Sequence, residues 1–126
     1  IRTELTCSTE KAPLVLLDLR NATQQWAYKT LDTLAARASD GSLLLSIVHK
    51  GVNGPVTLEI TLEDFEPAGK MEVRTLAAEV PWATNTLEAP EVITPVTSTR
   101  ELGDRRLSLA LQPYSYTLVR IPGRAR

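Results

Sequence analysis

The sequence predicts an all-β domain, a sandwich or barrel of about nine short antiparallel strands. Three observations predict it. Residues 55–63 place Val56, Leu58, Ile60 and Leu62 on one side and Thr57, Glu59, Thr61 and Glu63 on the other, the two-residue period of a half-buried strand. Turn formers recur between such runs at Asp40-Gly41, Pro67-Ala68-Gly69, Gly103-Asp104 and Pro113, at the spacing that sandwiches and barrels require. No long segment carries a sustained helical apolar period.

Taken in order, the expected strands begin with residues 1–6, 14–19 and 30–38. Between them, residues 22–37 hold Gln24, Gln25, Ala27, Leu31, Leu34, Ala35 and Ala36, enough for a helical turn or two. Residues 42–50 put Leu43, Leu45 and Ile47 on one face and Leu44 and Val48 on the other, so this strand is expected to be central and covered on both sides. Gly51-Val52-Asn53-Gly54 follows. An Asn-Gly pair flanked by strand patterns signals a hairpin, which predicts that 42–50 and 55–63 pair antiparallel, with Ile60 in the inter-sheet core. The remaining strands are expected at 70–77, 92–99, 105–111 and 115–121, with Gly123-Arg124-Ala125-Arg126 as a frayed tail.

The chain has 126 residues, 43% of them hydrophobic, the size of one domain with its own core; the expectation is a single domain over 1–126. The start Ile1-Arg2-Thr3-Glu4 is neither a signal peptide nor an initiator sequence, and reads as cut from something longer. Fourteen basic and 15 acidic residues in mixed order give a net charge of −1, which supplies no field for nucleic acid or a membrane surface. Cys7 and His49 are the only cysteine and histidine. An internal disulfide is therefore excluded, and a zinc site, which needs several such ligands at short spacing, is not expected; no cofactor is implied.

Catalysis finds little footing. Glycoside hydrolysis needs two carboxyl groups facing each other across a cleft, but Glu59, Glu63, Glu72 and Glu101 fall on polar strand faces or beside turns, where a solvated surface role is the rule. A serine nucleophile would need a histidine base, and no G-x-S-x-G elbow is present near His49 or elsewhere. Asn21-Ala22-Thr23 matches the N-glycosylation pattern, a short pattern that needs a eukaryotic secretory setting. The aromatic residues Trp26, Tyr28, Trp82, Tyr114 and Tyr116 suit packing in cores and domain interfaces better than a sugar platform.

The most distinctive text is the polar, irregular stretch 80–95, Val-Pro-Trp-Ala-Thr-Asn-Thr-Leu-Glu-Ala-Pro-Glu-Val-Ile-Thr-Pro. Its length and its prolines Pro81, Pro90 and Pro95 make it too long for a tight hairpin yet restricted in conformation. Trp82 and Leu87 are its apolar residues, and Asn85 is suited to satisfy backbone groups at a bend.

That loop, the run Leu31 to Gly41 before it, the strand Leu43 to Val48, and Pro113-Tyr114-Ser115-Tyr116-Thr117 after it together resemble the C-terminal β-sandwich domain of the family 51 α-L-arabinofuranosidases. The resemblance covers residues 30–122, and departs from the family at His49, where Asn is usual, and over 8–29. It implies a jelly-roll-like sandwich that supports a catalytic (β/α)8 barrel in the same parent protein. It further implies that the barrel, not this chain, hydrolyses terminal α-L-arabinofuranosides of arabinan or arabinoxylan. The family's catalytic acid is a Glu after an Asn, and no Asn-Glu pair occurs here, so no catalytic residue carries over. In that family a short N-terminal segment adds strands to the sandwich. A sheet edge left unpaired without it invites association, hence a homo-oligomer as a further expectation. Trp82, Asn85 and Leu87 are the candidate residues for contact with the barrel or with a ligand. The alternatives are an independent carbohydrate- or protein-binding module, with weak sugar contact at Trp82, and the accessory domain of a cellulase- or xylanase-type barrel enzyme.

Overall fold

The period-two runs become strands that close over one apolar core. The computed structural model describes residues 5, 9–11, 27–51, 54–80, 82–102 and 104–124. Over these the chain forms β1 (Thr9–Lys11), β2 (Ala27–Lys29), β3 (Leu31–Arg37), β4 (Leu43–His49), β5 (Val56–Thr61), β6 (Lys70–Ala77), β7 (Val96–Glu101), β8 (Arg106–Leu111) and β9 (Ser115–Ile121), and no helix. One antiparallel sheet has the order β3-β4-β9-β6-β7; β5 pairs β8 in a second, and β1 pairs β2 in a third. The path passes between the two main sheets after β4, β5, β7 and β8, the connectivity of a jelly-roll-like sandwich.

Alternation fixes which side chains meet. Leu43, Leu45 and Ile47 of β4, Val119 and Ile121 of β9, and Met71 and Val73 of β6 point inward and are buried with Leu107, Leu109 and Leu111 of β8. Each fully buried side chain of this size contributes about 1.5–3 kcal/mol. The β3–β4 hairpin closes through the Gly41 N–H to Ala38 carbonyl bond at 3.0 Å and the Ala38 N–H to Ser42 carbonyl bond at 2.8 Å. Gly41 takes φ +87° there, a conformation costly for a residue with a Cβ.

Strands 70–77 and 115–121 fall as expected, and those at 30–38, 42–50 and 105–111 within a residue of expectation. Five readings are corrected. The helical turn within 22–37 is replaced, over its described part, by β2 and β3. The strand placed at 92–99 is β7, Val96–Glu101, because the backbone of Ile93 is bound by a side chain within the loop. The predicted pairing of 42–50 with 55–63 does not form: β3 and β9 occupy both edges of β4, and β5 crosses to the other sheet to pair β8. The tail is held as far as Arg124, whose N–H donates to the Glu66 carbonyl at 3.1 Å while Gly123 bridges Pro67. Only glycine fits at 123, since a Cβ there would lie 2.5 Å from the Gly41 carbonyl oxygen and 2.9 Å from the Phe65 ring.

Ile60 is the fifth correction: like Val56 and Leu58 it is half-buried. The reason lies in the neighbours of β5. Among the described residues it has β8 on one side only, and its inward face fronts a groove of about 810 Å³ whose lining includes Leu45, Ile47, Leu58, Ile60 and Phe65. Strands 1–6 and 14–19 lie outside the described residues, apart from Leu5, which is in no strand and packs against the core.

Candidate functional site

β6 and β7 are hydrogen-bonded neighbours, from Lys70 opposite Glu101 to Thr75 opposite Val96, and the connection between them is the long loop 78–95. It is long but braced. The Asn85 side chain spans it: Oδ1 accepts the Ile93 N–H at 2.7 Å and Nδ2 donates to the Ile93 carbonyl at 2.9 Å. A carboxamide can satisfy a donor and an acceptor of one residue at once, so it stands in for a rung of ladder between the two arms. Thr86 closes the tip, its Oγ1 accepting the Ala89 N–H at 3.0 Å and its own N–H donating to the Ala89 carbonyl at 3.1 Å. A second turn runs from Val80 to Ala83, whose N–H donates to the Val80 carbonyl at 3.2 Å.

These braces hold two apolar side chains out into water. Trp82 is 78% exposed and Leu87 98% exposed. Burying such groups rather than leaving them wet is worth about 1.5–3 kcal/mol each, which makes them a feature to explain. Of the three residues singled out in the sequence, Trp82 and Leu87 are thus presented outward, and Asn85 acts within the loop. Pro81 lies outside the described residues.

At the base of the loop is a pocket of about 310 Å³, walled by Val48, Leu76 and Tyr116 of the sheet and by Val80, Ala83 and Ile93 of the loop. Its polar lining is His49, Tyr114, Ser115 and Tyr116. His49 is 2% exposed and is held by its own turn: Nδ1 accepts the Gly51 N–H at 3.0 Å, and Nε2 lies 2.9 Å from the Gly54 carbonyl oxygen. An accepting Nδ1 carries no proton, so the ring is the neutral tautomer with its proton on Nε2, donated to Gly54. Ser115 Oγ donates to the Gln112 carbonyl at 2.6 Å, and the Tyr116 hydroxyl accepts from Ser46 Oγ at 3.1 Å. Three of the four polar side chains are therefore already engaged. Sequence reasoning missed this pocket, whose apolar walls come from segments far apart in the chain; the one available signal was the presence of apolar residues on both faces of 43–48.

Of the acidic residues considered for catalysis, Glu59 and Glu63 are exposed at the groove beside β5, Glu72 pairs Arg74 at 2.8 Å, and Glu101 pairs Lys70 at 3.8 Å. Among the described residues no group of three or more His, Cys, Asp or Glu is placed to hold a metal ion, and no helix is long and apolar enough to cross a membrane.

A family described as the α-L-arabinofuranosidase C-terminal domain matches residues 3–115. The chain belongs to this family. Similar solved structures share the fold. The GH51 α-L-arabinofuranosidase from Thermotoga petrophila RKU-1 is 23% identical, with a TM-score of 0.65, over 76% of this chain and 20% of that one. A family 51 α-L-arabinofuranosidase from Bifidobacterium longum is 28% identical, with a TM-score of 0.63, over 75% and 19%. CelM2, a bifunctional glucanase-xylanase from a metagenome library, is 26% identical, with a TM-score of 0.58, over 79% and 18%. No curated protein matches. The chain thus spans about a fifth of the solved chains it resembles. As a C-terminal domain of this family it is not itself the catalytic barrel, a fold of about 250 residues.

Proposed function

We propose that this chain is the non-catalytic C-terminal sandwich of an α-L-arabinofuranosidase, and that it supports the catalytic (β/α)8 barrel of the same polypeptide, which hydrolyses terminal α-L-arabinofuranosides. The observation that carries this reading is the family match over 3–115 of 126 residues. Two structural features support it. The loop 78–95 is braced by Asn85 and Thr86 so that Trp82 and Leu87 face outward, as a rigid apolar contact would be. The open groove beside β5 has room for further strands of the parent to complete the smaller sheet.

The test compares the full-length parent with this chain alone on an aryl α-L-arabinofuranoside. Turnover is expected from the parent only, since the carboxyl pair that the reaction needs is expected on its barrel. Activity in the purified chain that is lost on changing a single Glu or Asp would overturn the reading. In the parent, Trp82→Ala and Leu87→Ser should lower the thermal midpoint and leave substrate preference unchanged; altered products at wild-type stability would place the loop at the active site instead. The likeness to the glucanase-xylanase favours a second reading, a barrel acting on glucan or xylan, which a substrate panel on the parent distinguishes.

A further inference from the structure

The five-stranded sheet has an apolar face it does not need for its own sandwich. An antiparallel sheet that packs on one side is polar on the other, and here the outer face is apolar at its centre. Strand register places Val48, Tyr116 and Leu76 side by side on β4, β9 and β6, and in the next row Leu34, Ser46, Leu118 and Arg74 on β3, β4, β9 and β6. Leu34 is 68% exposed, Tyr116 41% and Leu76 38%. Ion pairs stand around this patch: Lys50 with Asp32 at 3.3 Å, Arg74 with Glu72, and Arg120 with Asp40. An apolar centre with a charged rim is the anatomy of a protein interface. The 310 Å³ pocket opens where this patch meets the braced loop.

We infer that the outer face of the five-stranded sheet is the seat of the parent's catalytic part, and that a large apolar side chain of that part fills the pocket between Leu76, Tyr116, Ala83 and Ile93. This rests on the reading above and extends it from the loop to a whole sheet face. The occupant follows from three points. The pocket's walls are mostly apolar, and of its polar side chains the His49 ring and Ser115 are engaged within the domain and the Tyr116 hydroxyl accepts from Ser46; binding sites for polar ligands keep several convergent polar groups available. An aromatic or aliphatic anchor in a dry pocket is how interfaces concentrate their energy. Finally, the matching solved chains are about five times longer than the part this domain covers, and a tethered partner at high effective concentration needs less contact area than the roughly 800 Å² per side of a free second copy.

The experiment measures maleimide labelling of single cysteines in the full-length parent, in a background cleared of other reactive thiols. Leu34→Cys and Leu76→Cys report the sheet face, Leu87→Cys the loop, and Ala110→Cys the exposed face of β8 on the other side of the sandwich. Leu34→Cys and Leu76→Cys are expected to react at least about tenfold more slowly than Ala110→Cys, at any protein concentration. Fast labelling at Leu76→Cys with slow labelling at Leu87→Cys overturns the inference and leaves docking through the loop standing. Fast labelling at all three overturns both. Protection that disappears on dilution overturns the occupant, because it identifies a second copy. For the anchor, Ala83→Trp fills the pocket from the loop and should lower the parent's thermal midpoint by several degrees more than Thr84→Trp beside it; equal effects overturn the anchor.

Discussion

β5 and β8 are partners in one two-stranded sheet, with the same alternation and equal length, yet they sit in opposite environments. The inward side chains of β8, Leu107, Leu109 and Leu111, are buried. Those of β5, Val56, Leu58 and Ile60, are half-buried. The difference does not come from pattern, since both strands alternate apolar and polar. It comes from what lies beside them. Arg100 of β7 donates from Nη1 to the Ser108 carbonyl at 2.9 Å and ties β8 to the neighbouring sheet, whereas β5 fronts the groove. A strand's sequence states which face is apolar; how well that face is sealed depends on a neighbour.

This contrast predicts the largest effect of a single substitution. Leu109→Ala removes a side chain 1% exposed and should cost about 2–5 kcal/mol in a urea titration, within the range for sealed core sites. Ile60→Ala on the paired strand should cost about half as much or less, because part of its surface already meets water. Equal costs would show that β5 is sealed and the groove is closed in solution.

The next effect concerns the turn between β4 and β5, where the chain leaves the large sheet for the open strand. His49 holds that turn through two bonds from one buried ring. His49→Ala leaves the Gly51 N–H and the Gly54 carbonyl without it, at about 1–3 kcal/mol. His49→Asn should recover part of that loss, since a carboxamide also pairs one acceptor with one donor. A variant Asn no better than Ala would mean that the ring acts by filling space rather than by holding the turn.

How much of this was legible in the sequence follows the same division. Faces were legible: the alternation in 70–77, 105–111 and 115–121 located β6, β8 and β9 to within a residue. Pairing was not, because period-two patterning carries no information about the neighbour. The Asn-Gly signal at Gly51 to Gly54 predicted a hairpin, but both edges of β4 are taken by other strands, the preceding β3 and the distant β9. The apolar Val92-Ile93 looked like the start of a strand; an amide eight residues away, Asn85, claims the Ile93 backbone instead. β1 and β2 have three residues each, too few for a period to show. Trp82 and Leu87 stood out as apolar residues in polar text and are indeed presented to solvent. The pocket beneath them needs three segments brought together by the fold, and no local pattern encodes that.

The smallest effect lies at the tip of the β3–β4 hairpin, on the side of the sheet nearer the groove. Asp40 Oδ1 accepts the Ser42 N–H at 2.9 Å and Oδ2 meets the Arg120 guanidinium. The backbone bond from Ser42 foremost, then the Ser42 side chain and the Arg120 charge, hold the Asp40 carboxyl below the usual aspartate range. The sign follows from linkage. A carboxyl whose pKa is lower folded than unfolded binds fewer protons in the native state, so it contributes stability above its unfolded pKa and loses that contribution as pH falls through the folded value. Asp40→Asn keeps an acceptor for Ser42 and removes the charge. The wild type should therefore exceed this variant in urea midpoint at neutral pH, with the gap narrowing below about pH 4. The group is exposed, so the gap should be small beside that of Leu109→Ala and should shrink further in high salt. A gap unchanged between neutral and acid pH would mean that the hairpin gains nothing from the charge, and that Gly41 and the backbone bonds of Ala38 close it alone.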